Sequence, residues 1–79
     1  MDTTPLQRNL GIAIREKRLA LGLSQEELGE RCQLHRTYIG AVERGESNIT
    51  LQNLERIANA LNTRVWMLLH AADEINATP

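Results

Sequence analysis

The sequence has few of the residues that brace small proteins. It contains one cysteine, Cys32, and two prolines, Pro5 and Pro79, which lie near its two ends. A single cysteine cannot close an intramolecular disulfide. A chain of 79 residues buries only about 60% of its unfolded surface. We therefore expect one domain over residues 1–79, with a small core that oligomerisation would support.

Long apolar runs are absent as well. No stretch approaches the roughly 18 apolar residues of a membrane-spanning helix. The first residues also lack the basic, apolar and small-residue regions of a signal peptide. We therefore expect a cytoplasmic protein with no membrane partner.

Residues arranged for catalysis or metal binding are also missing. Cys32 has no His or Asp neighbour placed for nucleophilic chemistry, so we interpret it as a buried structural thiol. His35 and His70 lie far apart, without partners at the spacing of zinc ligands. The chain has no glycine-rich phosphate loop and no paired-carboxylate site. These absences disfavour a small enzyme and predict neither a cofactor nor a metal.

The charge is nearly balanced, with a formal net charge of −1. Taken alone, this value argues against a nucleic-acid partner, because lysine and arginine carry phosphate binding. The distribution is uneven, however. Residues 1–24 hold four basic side chains against two acidic ones, whereas residues 25–48 hold three arginines against five glutamates. The basic charge is therefore local.

The sequence is rich in apolar residues at helical spacing. Apolar residues recur at three- and four-residue spacings, beginning with Leu10, Ala13, Ile14 and Leu21. Gly22 follows at the position of a left-handed helix end, which predicts helix 1 over about residues 6–21. No alternating run of the β type is present, so the pattern predicts an all-α fold.

Capping signals mark four further helices. Ser24 and Glu27 form a capping box, and Leu23 can pack on Leu28 as a hydrophobic staple. The same staple spacing recurs twice, with Leu34 and Ile39 around His35 and with Ile49 and Leu54 around Thr50. Helices 2, 3 and 4 should therefore begin at Ser24, His35 and Thr50. We expect helix 4 to end near Asn62 and Thr63 to cap a fifth helix.

A short connection separates helices 2 and 3. Only about three residues, from Gln33 to His35, join them, which predicts a helix-turn-helix over about residues 24–45. The apolar Ile39 and Val42 should face helices 1 and 2. The opposite side of helix 3 then carries Arg36, Thr37, Gly40 and Arg44. Small residues allow close approach to a major groove, and an arginine near the helix N-terminus can contact guanine O6 and N7. A solvated surface charge is the alternative for Arg36.

Several motifs follow one another in the order of a known family. They are SQEEL at 24–28, LHRTYI at 34–39, VERG at 42–45, NITL at 48–51 and IANAL at 57–61. Over about residues 8–70, the sequence resembles the Xre/Cro-type helix-turn-helix regulators. Its HRTYI and ERG segments most resemble the controller proteins of restriction-modification systems and their stand-alone relatives. The resemblance implies a compact five-helix, lambda-repressor-like domain that works as a homodimer and reads operator DNA with helix 3.

The resemblance also implies individual roles. Arg36 and Thr37 would face bases, Gln25 and Tyr38 would lie near backbone or sugar, and Ser47 and Asn48 would touch phosphate. With Gly40 and Arg44, these residues make up the candidate DNA-binding set. From its residue type alone, Tyr38 could equally pack on helix 2 at the core edge.

Glu43 is placed differently by the same resemblance. A carboxylate on a recognition helix repels phosphate, which favours a structural role, and the resemblance names Arg18 as its ion-pair partner.

Three positions depart from the common pattern. Controller proteins often have Ser at the position of Gly40 and Arg at the position of Ser47. Contacts made by that Ser and that Arg do not carry over to this sequence. Gln33 replaces the commoner Gly or Asn, which suggests that the turn has a negative φ there or tolerates strain.

Helix 5, over about residues 64–75, is more apolar than one small core requires. Val65, Trp66, Met67, Leu68 and Leu69 are consecutive. One helix cannot bury all its sides against its own domain. We expect Trp66 in the core and a symmetric dimer interface formed by Met67, Leu68, Ala71 and Ile75.

The sequence therefore favours a homodimeric transcription regulator that binds double-stranded operator DNA and needs no cofactor. RNA polymerase is a further candidate partner. An antitoxin-like protein-interaction module with secondary DNA binding is the alternative. Strong salt dependence and a preference for a specific duplex over random DNA would distinguish the regulator.

Overall fold

Five α-helices and no strand form the part of the chain that the computed structural model describes, namely the backbone of residues 4–77 and the side chains of residues 4–75. The helices are α1 (Pro5–Ala20), α2 (Gln25–Cys32), α3 (Arg36–Glu43), α4 (Leu51–Ala60) and α5 (Val65–Ala77). The predicted all-α architecture is confirmed. None of the described helices is long and apolar enough to cross a membrane.

The residues predicted to start helices 2, 3 and 4 are the N-caps of α2, α3 and α4. Ser24 Oγ accepts a hydrogen bond from the Glu27 backbone N–H at 3.0 Å, and Glu27 Oε1 accepts one from the Ser24 N–H at 2.9 Å. The bond from the Ser24 backbone stabilises the carboxylate and so lowers the pKa of Glu27. His35 and Thr50 cap their helices through their own side-chain acceptors.

Helix 1 ends as predicted, with Gly22 in the left-handed region at a φ of 72°. The prediction that Thr63 caps the fifth helix is wrong. Asn62 is left-handed, and the Thr63 N–H donates to Ala58 O at 3.0 Å, so Thr63 belongs to the end of α4. The carbonyl of Arg64 accepts from the Leu68 N–H at 3.2 Å, which makes Arg64 the residue that precedes α5.

The core draws on all five helices. α5 packs mainly along α1, α3 packs on α1 and α2, and α4 packs on α2 and α5. The largest fully buried side chains are Ile14, Leu28, Ile39, Ile57 and Leu61. α1 and α3 are in close backbone contact at Gly11, where a Cβ atom would lie 2.4 Å from the Val42 carbonyl oxygen.

The predicted orientation of α5 is wrong at two residues. Leu68 is 3% exposed and belongs to the core, whereas Trp66 is 61% exposed. The buried stripe joins Leu68 and Ala72, with Val65, Leu69 and Ile75 half-buried beside it, as three- and four-residue helical spacing requires. Leu68 is therefore removed from the dimer interface that the sequence suggested.

Candidate nucleic-acid interface

A tight turn sets α3 against α2. Gln33 has a φ of 60° and a ψ of 40°, so the turn takes the strained left-handed form and the alternative of a negative φ is wrong. The Leu34 N–H donates to Gly29 O at 2.9 Å. A Cβ atom on Gly29 would lie 2.4 Å from Leu34 O, so this turn can close only over a glycine.

The N-terminus of α3 is organised by its cap. His35 Nδ1 accepts from the Thr37 backbone N–H at 3.1 Å and lies 2.7 Å from Thr37 Oγ1. Because Nδ1 is the acceptor in the first bond, the Thr37 hydroxyl donates to it in the second. The exposed Thr37 oxygen keeps its lone pairs for a donor outside the protein.

Arg36 and Arg44 are the exposed cations at the two ends of α3, and each faces a glutamate. Arg36 Nη1 lies 3.3 Å from Glu26 Oε2, and Arg44 Nε lies 3.1 Å from Glu46 Oε2. All four side chains are more than half exposed. The sequence motifs did not place Glu26 or Glu46 on this surface, although each lies beside a residue of the candidate DNA-binding set.

Gly40 is buried, contrary to its predicted solvent-facing position. A Cβ atom there would lie 3.1 Å from Arg44 Nη1 and 3.4 Å from Gln25 Oε1. Gly40 therefore points toward the polar surface, but the ends of two long side chains cover it. Its lack of a side chain provides the space they occupy.

A buried ion pair holds the other end of α3. Arg18 Nε lies 2.7 Å from Glu43 Oε2, and Arg18 Nη2 lies 2.9 Å from Glu43 Oε1. Arg18 Nη1 also donates to Leu23 O at 2.8 Å. The bond to Glu43 raises the pKa of Arg18, and burial opposes it only in part. The structure thus brings together the two residues that the resemblance paired.

Gln25 extends this network toward the surface. It is half-buried, and its Nε2 donates to Glu43 Oε1 at 3.1 Å. The Gln25 side chain thus contacts the buried carboxylate and also covers Gly40. The sequence motifs gave no sign of this link.

Tyr38 lies at the core edge and still reaches the surface. It is half-buried against the core, and its hydroxyl oxygen accepts from Asn53 Nδ2 at 3.1 Å. A phenol can accept and donate at once, so its hydrogen stays available to an outside acceptor. Its position at the core edge is as predicted, and its contact with DNA stays a prediction.

The loop between α3 and α4 presents Ser47, which is half-buried, and Asn48, which is exposed. Asn48 Oδ1 accepts from Gln7 Nε2, and Gln7 Oε1 accepts from the Thr4 N–H at 3.0 Å in the capping box of α1. The amide hydrogens of Asn48 point to no protein acceptor among the described residues. They are suited to an anion.

The described residues contain no cluster of three or more His, Cys, Asp and Glu side chains that could hold a metal ion. Cys32 is buried, and desolvation raises the pKa of its thiol. The surface around α3 can thus offer hydrogen bonds and charge, and the buried thiol takes no part in it.

Residues 14–65 match a protein-family model described as helix-turn-helix. Control protein C.SmaI of Serratia marcescens is 55% identical over 56 residues, which cover 71% of this chain and 67% of that protein. Control protein C.BamHI of Bacillus amyloliquefaciens is 41% identical over 68 residues, which cover 85% of this chain and 84% of that protein. The crystal structure of the restriction-modification controller protein C.AhdI from Aeromonas hydrophila superposes with a TM-score of 0.77 at 42% identity, over 78% of this chain and 94% of that one.

Proposed function

Because this chain belongs to the Xre/Cro-type helix-turn-helix family of DNA-binding transcription regulators, we propose that it binds operator DNA as a homodimer and reads the sequence with α3. The observation that carries the proposal is the position of Arg36 and Thr37. Both are exposed at the N-terminus of a helix whose opposite side is fixed by Ile39, Val42 and the Arg18–Glu43 pair.

The chemistry of this surface suits a major groove. Among the described residues, Arg36 hydrogen-bonds to the protein through Nη1, so its Nε and Nη2 edge can donate to guanine O6 and N7 together. Thr37 offers hydroxyl lone pairs to a base amino group. The Tyr38 hydroxyl, the Asn48 amide and Ser47 can donate to phosphate, and such contacts set the register of the protein on the duplex.

The proposed dimer uses the exposed side of α5. Met67 is 46% exposed, and Met67, Ala71 and Ile75 line an open groove with Ala13 and Ala20 of α1. A two-fold contact at this face would support the small core and set two copies of α3 about 34 Å apart, one turn of B-DNA. Leu68 stays inside its own protomer.

Selection from a random-sequence duplex pool tests the proposal. We expect enrichment of a two-fold sequence, bound about 10³-fold or more tightly than a scrambled duplex, with affinity that falls steeply as salt rises. Sedimentation of the free protein should show a dimer. Failure to enrich any sequence would reject the function and favour the protein-interaction module.

A further inference from the structure

Among the residues that the structure describes, the exposed arginines in direct contact with a carboxylate lie on the candidate DNA-binding surface. Arg36 and Arg44 each face a glutamate, at 3.3 Å and 3.1 Å. The other exposed arginines of the described residues make no ion pair within 4.0 Å, although Arg31 acts on Glu27 from farther away and contributes to its lowered pKa. They are Arg8, Arg15, Arg31, Arg56 and Arg64. The cations best placed to meet DNA are therefore the ones that already have counter-charges.

We propose that Glu26 is a specificity-determining residue that acts through Arg36: it suppresses attraction to phosphate and leaves base-reading hydrogen bonds in place. This inference rests on the proposed DNA binding. A phosphate attracts arginine mainly through net charge, which the adjacent carboxylate cancels. A guanine edge is neutral and binds through directed hydrogen bonds, which the carboxylate leaves intact.

The geometry of the Glu26–Arg36 pair allows both contacts at once. Glu26 takes only Nη1 of Arg36, so the edge formed by Nε and Nη2 remains open. Glu26 thus orients Arg36 without using the atoms that guanine needs. The pair is exposed on both sides, so its contribution to folding is small and its loss should leave the fold unchanged.

The test compares Glu26→Gln with Glu55→Gln. Glu55 is an exposed glutamate of α4 that lines a groove beside Trp66 and makes no ion pair among the described residues. The control variant therefore removes one negative charge at a site that does not contact Arg36. Binding is measured for the duplex that the wild type enriches and for a scrambled duplex of equal length, across a salt series. Circular dichroism and sedimentation confirm equal folding and assembly.

We expect Glu26→Gln to tighten binding to the scrambled duplex about twofold to fivefold beyond the control, the range that one exposed ion pair supports. The selected duplex should gain less, so the specificity ratio falls. For the scrambled duplex, the plot of log binding constant against log salt concentration should steepen by up to about 0.9, the value expected for one additional phosphate contact.

Two outcomes would overturn the inference while leaving the proposed function intact. Glu26→Gln could match Glu55→Gln on both duplexes, in which case Glu26 has no role in binding. It could also tighten both duplexes equally, which would make Glu26 a general repulsive charge. A wild type that enriches no sequence would instead reject the proposed function, and the inference with it.

Discussion

Arg18 and Glu43 join α1 to the last turn of α3 through two hydrogen bonds inside the protein, at 2.7 Å and 2.9 Å. Arg36 occupies the first turn of the same helix. The pair therefore fixes the end of α3 that lies farthest from the residues proposed to read bases. The orientation of α3 thus depends on a contact buried inside the protein.

Replacing Glu43 with alanine should destabilise the protein strongly. It leaves Arg18 buried without its carboxylate, and we expect the free energy of unfolding to fall by about 3–5 kcal/mol. Urea denaturation measures the loss. The exposed Glu46→Ala is the control and should stay within about 0.5 kcal/mol of wild type. A Glu43→Ala protein that unfolds like wild type and binds DNA more tightly would mean that Glu43 is exposed in solution.

Arg36→Ala should weaken binding to the selected duplex by about 1–3 kcal/mol, because it removes a base contact from an exposed helix end. Stability and binding to a scrambled duplex should change much less. Arg31→Ala, which removes an exposed arginine of α2, controls for net charge. Equal losses on both duplexes would assign Arg36 to phosphate.

Alanine should destabilise the protein at one helical glycine and not at another. At Gly29 the new Cβ would meet the Leu34 carbonyl at 2.4 Å, and we expect a loss of about 1–3 kcal/mol as the turn is forced open. At Gly40 the nearest atom is the mobile end of Arg44, so the alanine should leave stability unchanged or raise it by up to about 1 kcal/mol. Thermal unfolding of both variants and of the wild type measures these changes in stability. Equal destabilisation would show that the cover over Gly40 is rigid.

Neighbouring residues of α5 should separate assembly from folding. Met67→Glu places like charges near the proposed two-fold axis and should give a folded monomer with normal helical circular dichroism and weak operator binding. Leu68→Glu puts a charge into the core and should prevent folding. Sedimentation and circular dichroism distinguish the two results. A wild type that is monomeric at micromolar concentration would reject a preformed dimer.

Cys32 should make stability decline at alkaline pH. Burial raises the pKa of its thiol in the folded state, so the folded protein keeps the proton longer than the unfolded chain. Stability is therefore full below the unfolded pKa, about 8.5, and falls as the pH rises through the folded value. Urea denaturation at several pH values should show a steeper decline for wild type than for Cys32→Ala. Parallel curves would mean that the thiol reaches solvent.

Local chemistry accounts for what the sequence predicts well. The capping box of Ser24 and Glu27 spans four residues, and its two hydrogen bonds need no tertiary contact. The end of helix 1 at Gly22 is local in the same sense. Such signals locate helix boundaries because the atoms involved are already neighbours in the chain.

Contacts between helices account for what the sequence does not predict. Five consecutive apolar residues from Val65 to Leu69 carry no periodicity, so the side of α5 that is buried is decided by its packing on α1. The Glu26–Arg36 pair depends on the crossing of α2 and α3, and Gln33 adopts a left-handed conformation that its side chain does not favour. In each case tertiary geometry overrides local preference.

The packing of α5 on α1 has a consequence for how the core closes. Among the five described helices, α1 has its main partner in the one farthest from it along the sequence, because Leu68 and Ala72 complete the core that Leu10 and Ile14 begin. Contacts between segments so far apart pay the entropy of closing a long loop before their burial stabilises the fold. The helix-turn-helix therefore rests on a core that is complete only when both of these helices have docked on each other.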